Sequence, residues 1–193
     1  MQSKIRVAAA SNYADVGVSK SEKSITSDTY SHVLSVKEHQ KSYPKIFSLV
    51  IPGKDTVREI TNVLSPKECQ GIIEATCSSD EGFTTPTAFL SEARDCQRIH
   101  TVDKAMSKIM MNRLRPFLPE LVKIDGVRWK LARFTHHWRY VRYYPEGHFI
   151  PHYDGVKMST IPVPSMSVFT VQIYLNGSES FTGGSTRFYP DYE

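Results

Sequence analysis

The sequence predicts an α+β fold. Two early segments carry apolar residues at helical spacing between clear start and stop signals. From Val127 onward, short β-branched and aromatic runs follow one another between turn residues. Helices early and short strands late argue for that class. At 193 residues a single domain with a core of useful size is expected.

Residues 1–42 are rich in Ser, Lys and other polar types, with few apolar positions at a fixed period. They read as a flexible extension preceding a domain at 43–193. The first strand-like run, 43–52, is bounded by prolines. A second, 56–63, carries Val57, Ile60 and Val63 in approximate alternation. A helix begins at Ser65: serine as N-cap, Pro66 at the first helical position and Glu68 at the third make a capping box. Leu64 and Cys69 stand where a hydrophobic staple would, Ile72, Ile73 and Ala75 continue the stripe, and the helix should end near Cys77. Residues 78–95 form a long polar segment containing Thr-Thr-Pro-Thr, either a substrate loop or a plain surface loop.

Over 103–115, Ala105, Met106, Ile109, Met110 and Leu114 recur at helical spacing until Pro116 and Pro119 stop the helix. The methionines read as core filler. Strand runs then follow at 129–134, 138–144, across His152 and Asp154, at 168–175 and at 186–189, an antiparallel series.

The net charge of +4 and the pI near 8.9 are mildly basic. Lys and Arg are spread along the chain, which does not argue for nucleic acid. No apolar run approaches a membrane span, and Val7-Ala8-Ala9-Ala10 is too short for a signal-peptide core. Cys69, Cys77 and Cys96 make no disulfide framework and no zinc-type pair. Free thiols in a reducing compartment are the expectation; the compartment stays open, with a soluble, cytoplasmic protein favoured by the lack of a visible signal peptide or membrane segment.

The stretch 142–155 holds the chemistry. On a strand, residues two apart point to one face, so His152 and Asp154 can bind one metal ion together. They make two-thirds of the 2-His-1-carboxylate set that holds non-haem Fe(II) with open coordination positions. No histidine follows His152 in the sequence. Adjacent His136 and His137 would face opposite ways on a strand. His148, four residues before His152, would lie roughly 13 Å from it. All three read as surface or turn residues.

Three phrases run in succession: Arg142-Tyr143 through His152-x-Asp154-Gly155, then Thr170 through Tyr174-Leu175-Asn176, then Gly183-Gly184-x-Thr186-x-Phe188. This succession resembles the prolyl 4-hydroxylase-like family of Fe(II)/2-oxoglutarate dioxygenases, with Gly147 shifted toward the histidine. The resemblance extends upstream through residues 62–69 and 98–119, covering about 57–193. It implies a double-stranded β-helix, or jelly roll, with supporting N-terminal helices. It also implies Fe(II), 2-oxoglutarate and O2 as partners, L-ascorbate as a further cofactor, and hydroxylation of a C–H bond. The substrate would be a prolyl or other peptidyl residue, or a small molecule, and 2-oxoglutarate would be decarboxylated to succinate and CO2. His152 and Asp154 match the metal ligands. Tyr143 matches the tyrosine whose hydroxyl meets 2-oxoglutarate, with Tyr144 as the alternative across the shifted glycine. Thr170 and Tyr174 match positions that contact its distal carboxylate.

In the family, a second iron histidine and a Lys or Arg for 2-oxoglutarate lie beyond the Gly-Gly phrase, whereas this sequence reaches Glu193 first. The resemblance therefore implies a C-terminally truncated domain lacking its final strands, and an inactive chain. A non-catalytic remnant acting as a binding module is the alternative. A metal-binding cupin-like protein is more distant.

Overall fold

The computed structural model describes residues 4–9, 30–34, 45–51, 54–78, 83, 92–160 and 162–189. The strands are β1 (Lys4–Ala9), β2 (Lys45–Ile51), β3 (Lys54–Thr61), β4 (Gln97–Val102), β5 (Leu121–Ile124), β6 (Val127–Lys130), β7 (His137–Arg142), β8 (Met158–Ser159), β9 (Ser165–Met166) and β10 (Phe169–Tyr174). The helices are α1 (Pro66–Cys77) and α2 (Lys104–Leu114), with single 3-10 turns at Ser31–Val33 and Arg115–Phe117.

Helix α1 starts where its capping box dictates. The Ser65 hydroxyl accepts from the Glu68 amide at 3.1 Å, and the Glu68 carboxylate accepts from the Ser65 amide at 2.8 Å. Both groups satisfy amides that the first helical turn leaves without partners. Glu68 is fully buried, so its charge must be paired. Arg113 of α2 supplies the partner, with Nη2 at 2.7 Å from Oε1 and Nη1 at 3.0 Å from Oε2. The same guanidinium donates to the Val63 carbonyl at 3.1 Å. One buried arginine thereby ties both helices to the chain leaving β3.

Asp103 caps α2. One carboxylate oxygen accepts from the Met106 amide at 2.7 Å, and the other accepts from the Ser31 amide at 3.2 Å. Ile60, Val63, Leu64, Cys69, Ile72, Met106, Met110 and Leu114 make the buried cluster, joined by Tyr30 and Leu118. Phe169, Val171 and Ile173 of β10, with Trp138 and Tyr140 of β7, close over it. The alternate residues of β10, Thr170 and Tyr174 among them, therefore belong to the other face.

All strand pairing among the described residues is antiparallel. The largest sheet has the order β10-β1-β3-β2, with Ala8 opposite Thr170 and Ile5 opposite Ile60. β4 pairs β7 from Gln97–Arg142 to Val102–His137. β5 and β6 form a hairpin, and β8 and β9 make a two-residue pair. The β5–β6 turn uses Asp125 and Gly126 with φ of 50° and 80°, the left-handed pair that a two-residue hairpin loop requires.

The class is thus α+β, built from two helices and small antiparallel sheets, none closed among the described residues. Both expected helices and the strands near 45–51, 54–61 and 169–174 are present. Of the segment read as an extension, Lys4–Ala9 is a central strand of the largest sheet, and Tyr30 sits at 8% exposure in the core. A strand in mid-sheet is fixed by pairing on both sides, which a period count within the segment does not reveal. Most of the 78–95 loop falls outside the described residues. Two expected strands are absent: residues 186–189 take no strand pairing, and the run across His152 and Asp154 has only an isolated bridge, Phe149 to Arg94. Pro151 offers no amide to a ladder. No helix among the described residues is long and apolar enough to cross a membrane.

Candidate metal centre

β7 delivers the chain into a tight turn. Glu146 adopts φ 69°, and the Gly147 amide donates to the Tyr144 carbonyl at 2.9 Å. A Cβ on Gly147 would lie 2.9 Å from that carbonyl and 3.0 Å from the Asp95 carbonyl, so only glycine fits without backbone movement. His148 then pairs with Asp95 in both directions, at 3.1 and 2.8 Å, and the Ile150 amide donates to Ala93 at 2.9 Å. These bonds, not a regular strand, fix the approach to His152.

His152 is oriented by three contacts. Phe149 stacks on its ring with centroids 3.7 Å apart. Nδ1 lies 2.9 Å from the Ile150 carbonyl. A carbonyl only accepts, so Nδ1 carries the proton and a neutral ring keeps its lone pair on Nε2. Nε2 faces Asp154 Oδ1 at 3.6 Å. That distance makes an ion pair when the ring is protonated, beyond hydrogen-bond range. Both side chains are accessible, at 41% and 44% exposure.

The electrostatics agree with the geometry. The facing Asp154 carboxylate raises the His152 pKa above the ordinary imidazole value, against an opposing effect of burial. The Asp154 pKa is lowered, first by His152, with smaller help from the nearby Thr170 hydroxyl and the Arg139 charge. Without a metal the two groups favour the imidazolium–carboxylate pair.

The arrangement fits a divalent cation. Nitrogen and oxygen ligands at about 2.1 Å from one ion, set at right angles, stand about 3 Å apart. The observed pair is within a small side-chain adjustment of that spacing. A ligating histidine whose other nitrogen donates to a backbone carbonyl is the common second contact around such ions. Among the described residues, no three or more His, Cys, Asp or Glu side chains converge on one point.

Of the expected site residues, the structure brings together His152, Asp154 and Thr170. Tyr143 is directed elsewhere: it stands opposite Cys96, where the β4–β7 ladder would continue, and its hydroxyl lies near the Cys96 thiol. Burial raises the pKa of both groups. The Tyr144 hydroxyl donates to Gln97 Oε1 at 3.3 Å. The Tyr174 hydroxyl meets Thr186 Oγ1, four residues along β10 from Thr170 and so roughly 13 Å away. His136, His137 and His148 stand apart from the pair. His148 reaches the Glu92 carbonyl at 3.2 Å.

The residues that sequence reasoning missed are Gly147, Phe149, Ile150 and Arg94. Arg94 lies over the Phe149 ring, 5.1 Å from its centroid. The shifted glycine was the available signal for a close backbone approach. The others act through ring stacking and a main-chain carbonyl, which leave no mark in residue type. Comparison with family models, with curated proteins and with solved structures finds no match to this chain.

Proposed function

We propose that His152 and Asp154 are protein ligands of Fe(II) in a 2-oxoglutarate-dependent dioxygenase of the prolyl 4-hydroxylase type. The observation that carries this reading is the oriented pair itself. Nδ1 is taken up by the Ile150 carbonyl, which leaves Nε2 as the nitrogen facing a carboxylate 3.6 Å away on an accessible surface. The finer architecture attached to this reading is a jelly roll. Antiparallel pairing throughout, and β10 bringing Thr170 to the carboxylate, support it.

Bound Fe(II) would supply open coordination positions for a 2-oxo acid and O2. The chain's own residues do the rest. Ile150 and Phe149 hold the imidazole in one tautomer and one plane. Thr170 of β10 stands near the carboxylate and helps keep it ionised. For Tyr143 to meet 2-oxoglutarate its hydroxyl must turn from its place near Cys96. Tyr144 would do the same with Gln97. The hydroxylated substrate on this reading is a peptidyl or small-molecule C–H, with L-ascorbate as reductant.

A second reading is a binding module on the same scaffold that does not turn over. It is favoured by the absence, among the described residues, of a third metal-ligating side chain beside the pair. Anaerobic titration with Fe(II) and then 2-oxoglutarate separates the two. Enzyme activity requires a visible charge-transfer band and succinate release when air is admitted. Metal binding without succinate selects the binding module. No metal binding at all rejects the dioxygenase reading.

A further inference from the structure

A second feature lies away from the metal pair. A cleft of about 200 Å³ runs between α2 and the extended segment 131–136. Lys104, Lys108 and Asn112 are spaced by four along α2 and so share one face of the helix. Arg133 stands on the opposite wall beside His136, and Phe134 and Met111 supply apolar surface. Among the described residues, no carboxylate lines the cleft. The nearest acid in sequence, Asp103, is fully buried and turned inward to the Met106 and Ser31 amides. It does not neutralise the rim from outside.

The walls are fixed before any ligand arrives. The buried Ser107 hydroxyl lies 2.8 Å from the Thr135 carbonyl and accepts from Trp138 Nε1 at 2.8 Å. The Asp103 amide donates to the His136 carbonyl at 2.9 Å. Phe134 is held parallel to Trp138, with centroids 6.4 Å apart. Two lysines of α2 and an arginine of the opposite wall therefore line one pre-set gap, with an aromatic ring at its side. That is the chemistry for a compact oxyanion: ammonium groups as point charges and a guanidinium fork for paired oxygens. The volume is below the roughly 300 Å³ at which sites for drug-sized ligands begin.

We propose that this cleft binds a phosphate-type oxyanion carried on a small aromatic or apolar group. The proposal does not depend on the metal reading. It is tested by calorimetric titration of the full chain with phenyl phosphate and with inorganic phosphate at constant chloride. Saturable binding of phenyl phosphate is expected, with inorganic phosphate roughly fivefold weaker for lack of the ring contact. Lys108→Gln and Arg133→Gln should each weaken both ligands about fivefold. Phe134→Leu should remove the preference for the phenyl ester. Lys123→Gln and Lys130→Gln, on the β5–β6 hairpin, and His152→Ala should bind as the unaltered chain does. Lack of saturation at millimolar ligand, equal affinity for the two phosphates, or equal losses from the hairpin variants would overturn the proposal. Lys108, Arg133, Lys123 and Lys130 are all exposed, so these variants leave the core intact.

Discussion

The segment from β3 to the end of α2 and the segment around His152 are built on opposite plans. In the first, side chains from two helices and a strand interlock, and Glu68 and Arg113 are buried as a hydrogen-bonded ion pair. In the second, Tyr143, Tyr144, Phe149, Ile150 and Tyr153 are each about half exposed, and main-chain bonds to 93–95 do the positioning. The difference separates stability from chemistry. A charged pair in the interior is paired so that the fold can tolerate it. A charged pair on an accessible surface stays available to a ligand. The two should answer substitution differently.

The largest effect belongs to the buried pair. Glu68→Ala leaves Arg113 desolvated without its carboxylate and removes half of the capping box. It should cost about 3–5 kcal/mol in denaturant unfolding. A loss under about 1 kcal/mol would mean that the interior is far wetter than described, and the contrast between the regions would fail.

Gly147→Ala is the intermediate case. Its Cβ meets two backbone carbonyls that cannot swing aside. A cost of about 1–3 kcal/mol is expected, concentrated in the turn. Amide exchange should quicken at Asp95 and His148 while the amides of α1 and α2 stay protected. Uniform acceleration across the molecule would show that the turn is part of the global core.

The smallest effect is the pH dependence of the metal-free pair. The His152 pKa is raised above 6.5, so its contribution is complete below 6.5 and disappears as pH climbs through the raised value. The Asp154 pKa is lowered below 3.8, so its contribution is complete above 3.8 and disappears as pH falls through the lowered value. The pair therefore contributes most between these limits. Solvent screening keeps the size small. In chelator, the stability difference between the unaltered chain and His152→Ala should peak in that window and shrink on both sides. A difference that grows steadily toward high pH would contradict the assigned directions.

Local rules made the scaffold legible. Ser65, Pro66 and Glu68 announce a helix start through a motif that spans only four residues. The period of Met106, Met110 and Leu114 announces its neighbour. Long-range pairing is less legible: the place of Lys4–Ala9 depends on β3 and β10, far away in sequence. The candidate site was half legible. His152 and Asp154 were found by type and spacing. The strand supposed to align them is an irregular segment held by Gly147 and by carbonyls that any residue could supply. Thr170 stands near the pair because β10 alternates, with Phe169, Val171 and Ile173 facing the core. Tyr143 lies near Cys96 and Tyr174 bonds to Thr186, placements that only the folded arrangement defines.

The central claim is that His152 and Asp154 hold a metal ion and do little for stability. Equilibrium dialysis of Fe(II) against the unaltered chain and against His152→Ala tests it most directly, with unfolding midpoints measured in chelator on the same samples. The account predicts one ion per chain for the unaltered protein. It predicts at least tenfold weaker binding for the variant, as expected when a metal bond is removed, and a stability change within about 0.5 kcal/mol. Equal Fe(II) affinity in the two proteins, or a variant that unfolds, would contradict it.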